Sequence, residues 1–215
     1  MNKKLVFSID GVLLSDYGLH VETVSGLIGI PKRKPQISNS DTQSHGKFYD
    51  LGAAAKYDEK SITLNCFVVA NSRLEFFAKI NEIVTIFDAP GLHRLTAALD
   101  SEIELPFEVI RVDGDAISPN WNSSKTLARF QLKFVEPQPI KRVVNANGGK
   151  ISLNFHTDKL VSVSWGDKTY FYDLVGDVSI GNDLTEGTQV VIMGDIEEIK
   201  NFNLNGGAVQ WDIWS

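Results

Sequence analysis

The chain has 215 residues and a mass of 23.8 kDa, with 43% hydrophobic and 22% charged residues. That composition fits one medium domain, or one domain plus a small annex, and excludes a disordered, collagen-like or coiled-coil chain. Basic residues number 21 against 27 acidic, a formal charge of −6. Divided after Ile140, the first part carries 15 basic and 17 acidic residues and the second 6 and 10, so both parts are acidic.

The segment from Lys4 to Asp10 alternates, with Leu5, Phe7 and Ile9 on one side, which predicts a half-buried strand. Its basic-then-apolar start stops well short of a signal-peptide core. A turn at Ser15-Asp16-Tyr17-Gly18 leads to a strand from Leu19 to Val24. From Ser25 to Lys47 periodicity is lost among Gly, Pro, Ser, Asn and Asp, and an arm or long hairpin reaching beyond its own core is expected. The only basic run, Lys32-Arg33-Lys34, lies here between Pro31 and Pro35 and is read as a solvated loop. Binding to a phosphate backbone needs clustered Lys and Arg, so no specific nucleic-acid binding is expected.

Weak β character resumes from Phe48 to Ala55, and Ser61 to Ala70 reads as a strand with apolar residues on both faces, hence a central one. Cys66 lies among apolar neighbours as a small core residue. Asn71 to Asp88 is the one clear helix, its core about residues 72–87, capped by Asn71 or Ser72. Leu74, Phe77, Ile80, Val84 and Phe87, widened by Phe76 and Ile83, form its apolar stripe. Strands follow from Leu92 to Leu99, Pro106 to Val112 and Thr126 to Val135, the last two forming a long antiparallel ribbon.

Glu136-Pro137-Gln138-Pro139 cannot join a central ladder and marks a boundary. All seven prolines precede Ile140, whereas nine of seventeen glycines follow it. The expected division is a first domain over 1–137, a linker over 138–149 and a small β domain over 150–215. In the latter, strands are predicted at Lys150 to His156, Leu160 to Trp165, Lys168 to Asp173, Gln189 to Met193 and Gly207 to Trp214. A type II′ turn at Gly166-Asp167 joins the second and third, and Asp195 to Phe202 is either a helical turn or a strand.

Little in the sequence carries chemistry. His20, His45, His93 and His156 are scattered without metal-binding spacing, and one cysteine excludes a disulfide and a Cys-rich zinc site. Asp113 and Asp115 are turn residues without the downstream glutamate of a calcium loop. No P-loop, dinucleotide fingerprint or nucleophile elbow occurs, so no cofactor and no enzymatic activity are expected. No apolar run approaches the ~18 residues of a membrane helix, and no membrane insertion is expected. Asn122-Ser123-Ser124 matches a glycosylation sequon by chance. Trp121, Trp211 and Trp214 are candidate contacts to a partner or a sugar, while Trp165 anchors the small core.

The order of elements in the first 140 residues resembles the ring-forming N-terminal domain of distal tail proteins of long-tailed bacteriophages and prophages. The residues that carry the likeness are Ser15-Asp16-Tyr17-Gly18-Leu19, then His45-Gly46-Lys47-Phe48-Tyr49-Asp50-Leu51-Gly52. Tyr57-Asp58-Glu59-Lys60-Ser61-Ile62-Thr63-Leu64 before the helix, and the closing Phe134-Val135-Glu136-Pro137, complete it. Lys60 stands where many members have Arg. The resemblance implies a mainly β (α+β) fold: an N-terminal split β-barrel or sandwich-like sheet with one packed helix, plus a small C-terminal β-barrel or β-sandwich. The second part resembles either an oligonucleotide/oligosaccharide-binding barrel or the Trp-Gly-Asp sandwich modules of surface proteins, through Val163-Ser164-Trp165-Gly166-Asp167. The implied role is a structural virion component of the tail tip, assembled in the bacterial cytoplasm. It would form a hexameric ring and join tail tube to baseplate or receptor-binding proteins. A carbohydrate-binding or adhesion module that contacts surface glycans is the alternative.

Overall fold

A computed structural model describes residues 5–35, 37–39, 48–49, 55–98, 104–111, 120–124 and 126–213. The first part contains β1 (Val6–Ile9), β2 (Val12–Leu13), β3 (Leu19–Ser25), β4 (Ile37–Asn39), β5 (Phe48–Tyr49) and β6 (Lys60–Val69). Helix α1 (Arg73–Phe87) follows, then β7 (His93–Ala98), β8 (Glu104–Arg111), β9 (Asn120–Trp121) and β10 (Leu127–Glu136). Among the described residues the fold is mainly β, with two large antiparallel sheets, a two-stranded sheet of β4 and β5, and one α-helix.

The first sheet runs β2-β1-β7-β8-β10-β6-β3, with β9 adding to β10. Alternation in β10 sets its register: Phe130 faces Cys66, Leu132 faces Leu64 and Phe134 faces Ile62, all buried. The expected β8–β10 ribbon is a correction. β10 pairs with β6 over ten residues and with β8 over two, while β8 pairs with β7 over six. Chain neighbours joined by a short connection pair first, and the apolar register of β6 claims the rest of β10. β6 has partners on both sides, but only its Ile62-Leu64-Cys66-Val68 face is buried; Val69 is exposed and Phe67 tilts against His20.

Ser72 caps α1, its hydroxyl accepting from the Glu75 N–H at 3.2 Å, while the Glu75 carboxylate accepts from the Asn71 N–H at 2.9 Å. Such a cap stabilises a helix by about 1 kcal/mol. Phe76, Ile83 and Phe87 enter the core, whereas Leu74 and Phe77 of the expected stripe are exposed. The helix thus buries a narrower ridge than its periodicity implies.

Residues 32–34 run antiparallel to 56–58 through an Arg33–Tyr57 bridge and two backbone bonds. The basic run keeps exposed side chains, as a solvated loop does, while its backbone is held by this one bridge. β4 and β5 pair further out in the same excursion. His45 and the Asp113-Gly114-Asp115 turn lie outside the described residues.

The second sheet comprises β11 (Lys141–Ala146), β12 (Gly149–Ser164), β13 (Tyr170–Leu184), β14 (Gln189–Gly194), β15 (Ile199–Asn205) and β16 (Gly207–Ile213). Its order is β13-β12-β14-β11-β16, with β15 also on β12, and it does not close into a barrel. Residues 141–146, read from sequence as linker, form a central strand between β14 and β16. Two expected strands are halves of β12, bent where its register with β13 shifts between Thr157 and Val163. The ambiguous segment is a 3-10 turn, Ile196–Glu198, followed by β15.

β15 and β16 form one segment kinked at Gly206, whose φ is +77°; a Cβ there would lie 2.2 Å from the Lys150 carbonyl. The β12–β13 turn is also longer than expected. Trp165 N–H donates to the Thr169 carbonyl at 3.0 Å, leaving three residues in the loop, with Lys168 at φ 70°. Trp165 is fully buried in the second core.

Candidate interface surfaces

The two sheets meet along a buried polar seam built around Glu108. β8 is buried on both faces: Phe107 and Val109 face the first core, and the alternate residue Glu108 faces the second sheet. Arg94, from β7, donates through Nε to Glu108 Oε1 at 2.6 Å, through Nη2 to Ser164 Oγ at 2.7 Å and through Nη1 to the Gln189 carbonyl. Ser164 Oγ donates to Glu108 Oε1 at 2.9 Å, and the Tyr170 hydroxyl donates to Oε2 at 3.1 Å. Burial pushes the Tyr170 phenol up, and the Glu108 charge adds to it, so the hydroxyl stays a donor. Gly166 allows this packing: at φ +84°, its missing Cβ would fall 2.4 Å from Arg94 Nη1 and 2.8 Å from the Gln189 carbonyl.

A second buried pair pins the crossing between the sheets. Lys141 donates to Glu136 and to the Pro106 carbonyl at 2.6 Å, with its ammonium 4.3 Å from the centre of the Phe107 ring. Glu136 and Lys141 are each 1% exposed. Burial pushes the Glu136 carboxyl up and the Lys141 ammonium down, and their mutual attraction opposes both shifts. Removing one partner of such a pair costs about 3–5 kcal/mol. Lys60, also buried, donates to the Leu27 carbonyl at 2.8 Å near the same ring. At the surface, Lys56 joins the excursion to the second sheet through Asp195 and Glu197.

The predicted contact residues are not brought together. Trp121 is 37% exposed and meets Phe76 and Phe77 edge-on at 5.5 and 5.4 Å. Trp211, on the other sheet, is half-buried against Val143, Val191 and Met193. Trp214 lies outside the described residues. The Asn122 side chain is engaged in its own turn, accepting from the Thr126 and Leu127 N–H groups at 2.9 and 3.2 Å. Cys66 is buried, and burial pushes its thiol up to about 12, which fits a core residue and not a nucleophile. Among the described residues no cluster of three His, Cys, Asp or Glu side chains can hold a metal ion, and no helix is long and apolar enough to cross a membrane.

Sequence reasoning missed two features that left a signal. A glutamate inside the apolar run of β8 marks a strand packed on both faces. Three consecutive aromatics, Tyr170-Phe171-Tyr172, mark the seam end of β13, where Tyr170 and Tyr172 stack at 5.7 Å.

No family model and no curated protein matches the sequence. Among solved structures, the SPP1 Dit protein, a paradigm of the hub adsorption apparatus in phages infecting Gram-positive hosts, aligns with a TM-score of 0.51 at 9% identity. The alignment covers 96% of this chain and 97% of that one, so it spans both sheets. This chain shares the fold of the SPP1 Dit protein. A chain of the phage P2 baseplate, in its activated conformation with Ca, aligns with the same TM-score at 7% identity, over 98% of this chain and 86% of that one. In this fold the Glu108 seam lies between the two sheets, so it sets how the second sheet is held on the first.

Proposed function

We propose that the protein is a structural component of a phage or prophage tail tip, a hexameric ring that joins the tail tube to baseplate or receptor-binding proteins. The observation that carries this reading is the alignment of both sheets, in one chain, with the Dit hub. In the same proposal the residues up to 137 form the ring domain, and the second sheet, which begins with β11, forms the accessory domain. A closed ring repeats one heterologous interface around its axis. The two-stranded excursion, with its bridge at Arg33 and Tyr57, supplies an element that reaches past its own sheet to a neighbour. The role is that of an assembling part of the virion and involves no reaction.

Native mass measurement tests it. The full chain at high concentration should give a six-copy species, and deletion of residues 31–44, which removes β4, should give a folded single copy that keeps a cooperative unfolding transition. A full chain that never assembles, or a ring of unchanged stoichiometry after the deletion, would overturn the proposed assembly.

A further inference from the structure

The strands at the sheet edges are not protected alike. β3 is bulged between Val21 and Thr23, β15 shifts register on β12 between Asn154 and His156, and β16 shifts on β11 between Val143 and Val144. β2 and β9 are two residues long. Bulges and short length are ways of blunting an edge against further pairing. β13 has neither over residues 176–184. Nine consecutive residues there pair with β12 from Thr157 back to Gly149 without a shift, and no described strand pairs with the other side.

The charges along this strand are all acidic. β13 contains no Pro, Lys or Arg. Val178 and Leu184 enter the second core, while Asp177, Ser179, Gly181 and Asp183 are exposed, the Asp177 side chain at 96%. The Asp183 N–H donates to the Asn182 side chain at 2.9 Å. By the two-residue period, the N–H groups of Asp177, Ser179 and Gly181 face the same open side. Asp173 extends the acidic row, and Phe171, Tyr172 and Val175 expose apolar surface at its seam end.

We propose that the 176–184 edge of β13 takes an extended, Lys- or Arg-bearing segment of a partner protein by strand addition. Backbone hydrogen bonds supply the ladder, and the aspartates select the charge of what lies beside them. A second copy of this chain is the wrong occupant, because self-pairing would set aspartates against aspartates, and like charges in cross-strand contact repel. The proposal rests on the reading of the chain as a hub, for which it names the chemistry of one partner.

The probe is a labelled nine-residue peptide alternating Lys and Val, titrated onto the full chain by fluorescence anisotropy. Binding should weaken at least tenfold with the Asp177→Lys/Asp183→Lys variant, and amide exchange at residues 177–183 should slow in the complex. The same peptide with Glu for Lys should not bind, nor should one N-methylated at alternate amides, which keeps charge and shape but cannot form a ladder. Asp183 is exposed and Asp177 holds only the surface His156, so the variant's unfolding midpoint should fall only slightly. Absence of binding by the Lys-Val peptide, or equal binding by the N-methylated peptide, would overturn the proposal. A ring that forms normally without peptide binding removes the docking edge alone. Peptide binding by a chain that never forms a ring removes the hub reading and keeps the edge.

Discussion

Two ionic clusters in this protein use similar residues in opposite surroundings. At the seam, Glu108 is 1% exposed and receives Arg94, Ser164 and Tyr170. On the outer face of the second sheet, His156 lies 2.7 Å from Asp177 and 3.2 Å from Asp158, which also receives Lys200 at 2.6 Å. In the first set Glu108 and Ser164 are fully buried, so their hydrogen bonds to Arg94 and Tyr170 replace hydration lost on folding. The second remains in solvent, where screening leaves little net stabilisation. Ion-pair count therefore does not rank these clusters; burial does. The seam holds two sheets in one arrangement, and the outer cluster decorates a surface.

Substitutions should widen that contrast. Glu108→Ala leaves a guanidinium, a serine hydroxyl and a tyrosine hydroxyl without their carboxylate acceptor at a largely buried interface. The expected loss is about 3–5 kcal/mol, read as a fall in the urea midpoint; a loss under about 1 kcal/mol would mean that water replaces the carboxylate. Gly166→Ala should cost about 2 kcal/mol, because a side chain at positive φ is strained and its Cβ meets Arg94 and the Gln189 carbonyl. Pairing it with Arg94→Ala should recover only the share due to the Arg94 contact, so a double-mutant cycle separates that contact from backbone strain and the Gln189 clash.

The smallest effect belongs to His156. Hydrogen bonding to Asp177, then to Asp158, raises its pKa above the ordinary value. Its stabilising contribution is complete below the unfolded value of about 6.5 and is lost as pH rises through the higher folded value. An NMR titration should place the His156 midpoint above that of a free histidine, and Asp177→Asn should bring it down. A midpoint unmoved by Asp177→Asn would show that the Asp177 contact does not hold the ring.

Much of the fold was legible because apolar alternation reports a strand that buries one face. β6, β10 and the Phe76-Ile83-Phe87 ridge of α1 follow that logic, and Trp165 follows from bulk alone. Legibility failed where both faces are covered or where partners are distant in sequence. β11 reads as linker because it directly follows the Pro137–Pro139 break and the change in composition near Ile140. Lys141 is satisfied by Glu136 and Pro106, and Arg142 by Asp212 on β16. Nothing local to Glu108 announces Ser164 or Tyr170, which lie 56 and 62 residues away.

Periodicity, proline placement and turn residues by themselves determined the β-rich class, the one clear helix with a cap at Asn71 or Ser72, and the change of character near residue 137. These are local consequences of backbone geometry and side-chain burial, and a short window contains all of their causes. Strand pairing, the joining of the two sheets through Arg94 and Glu108, and the choice of β13 as the unprotected edge were decided only in the tertiary structure. Those depend on which distant residues exclude water together, and the free energy of such a contact exists only once both sides have arrived.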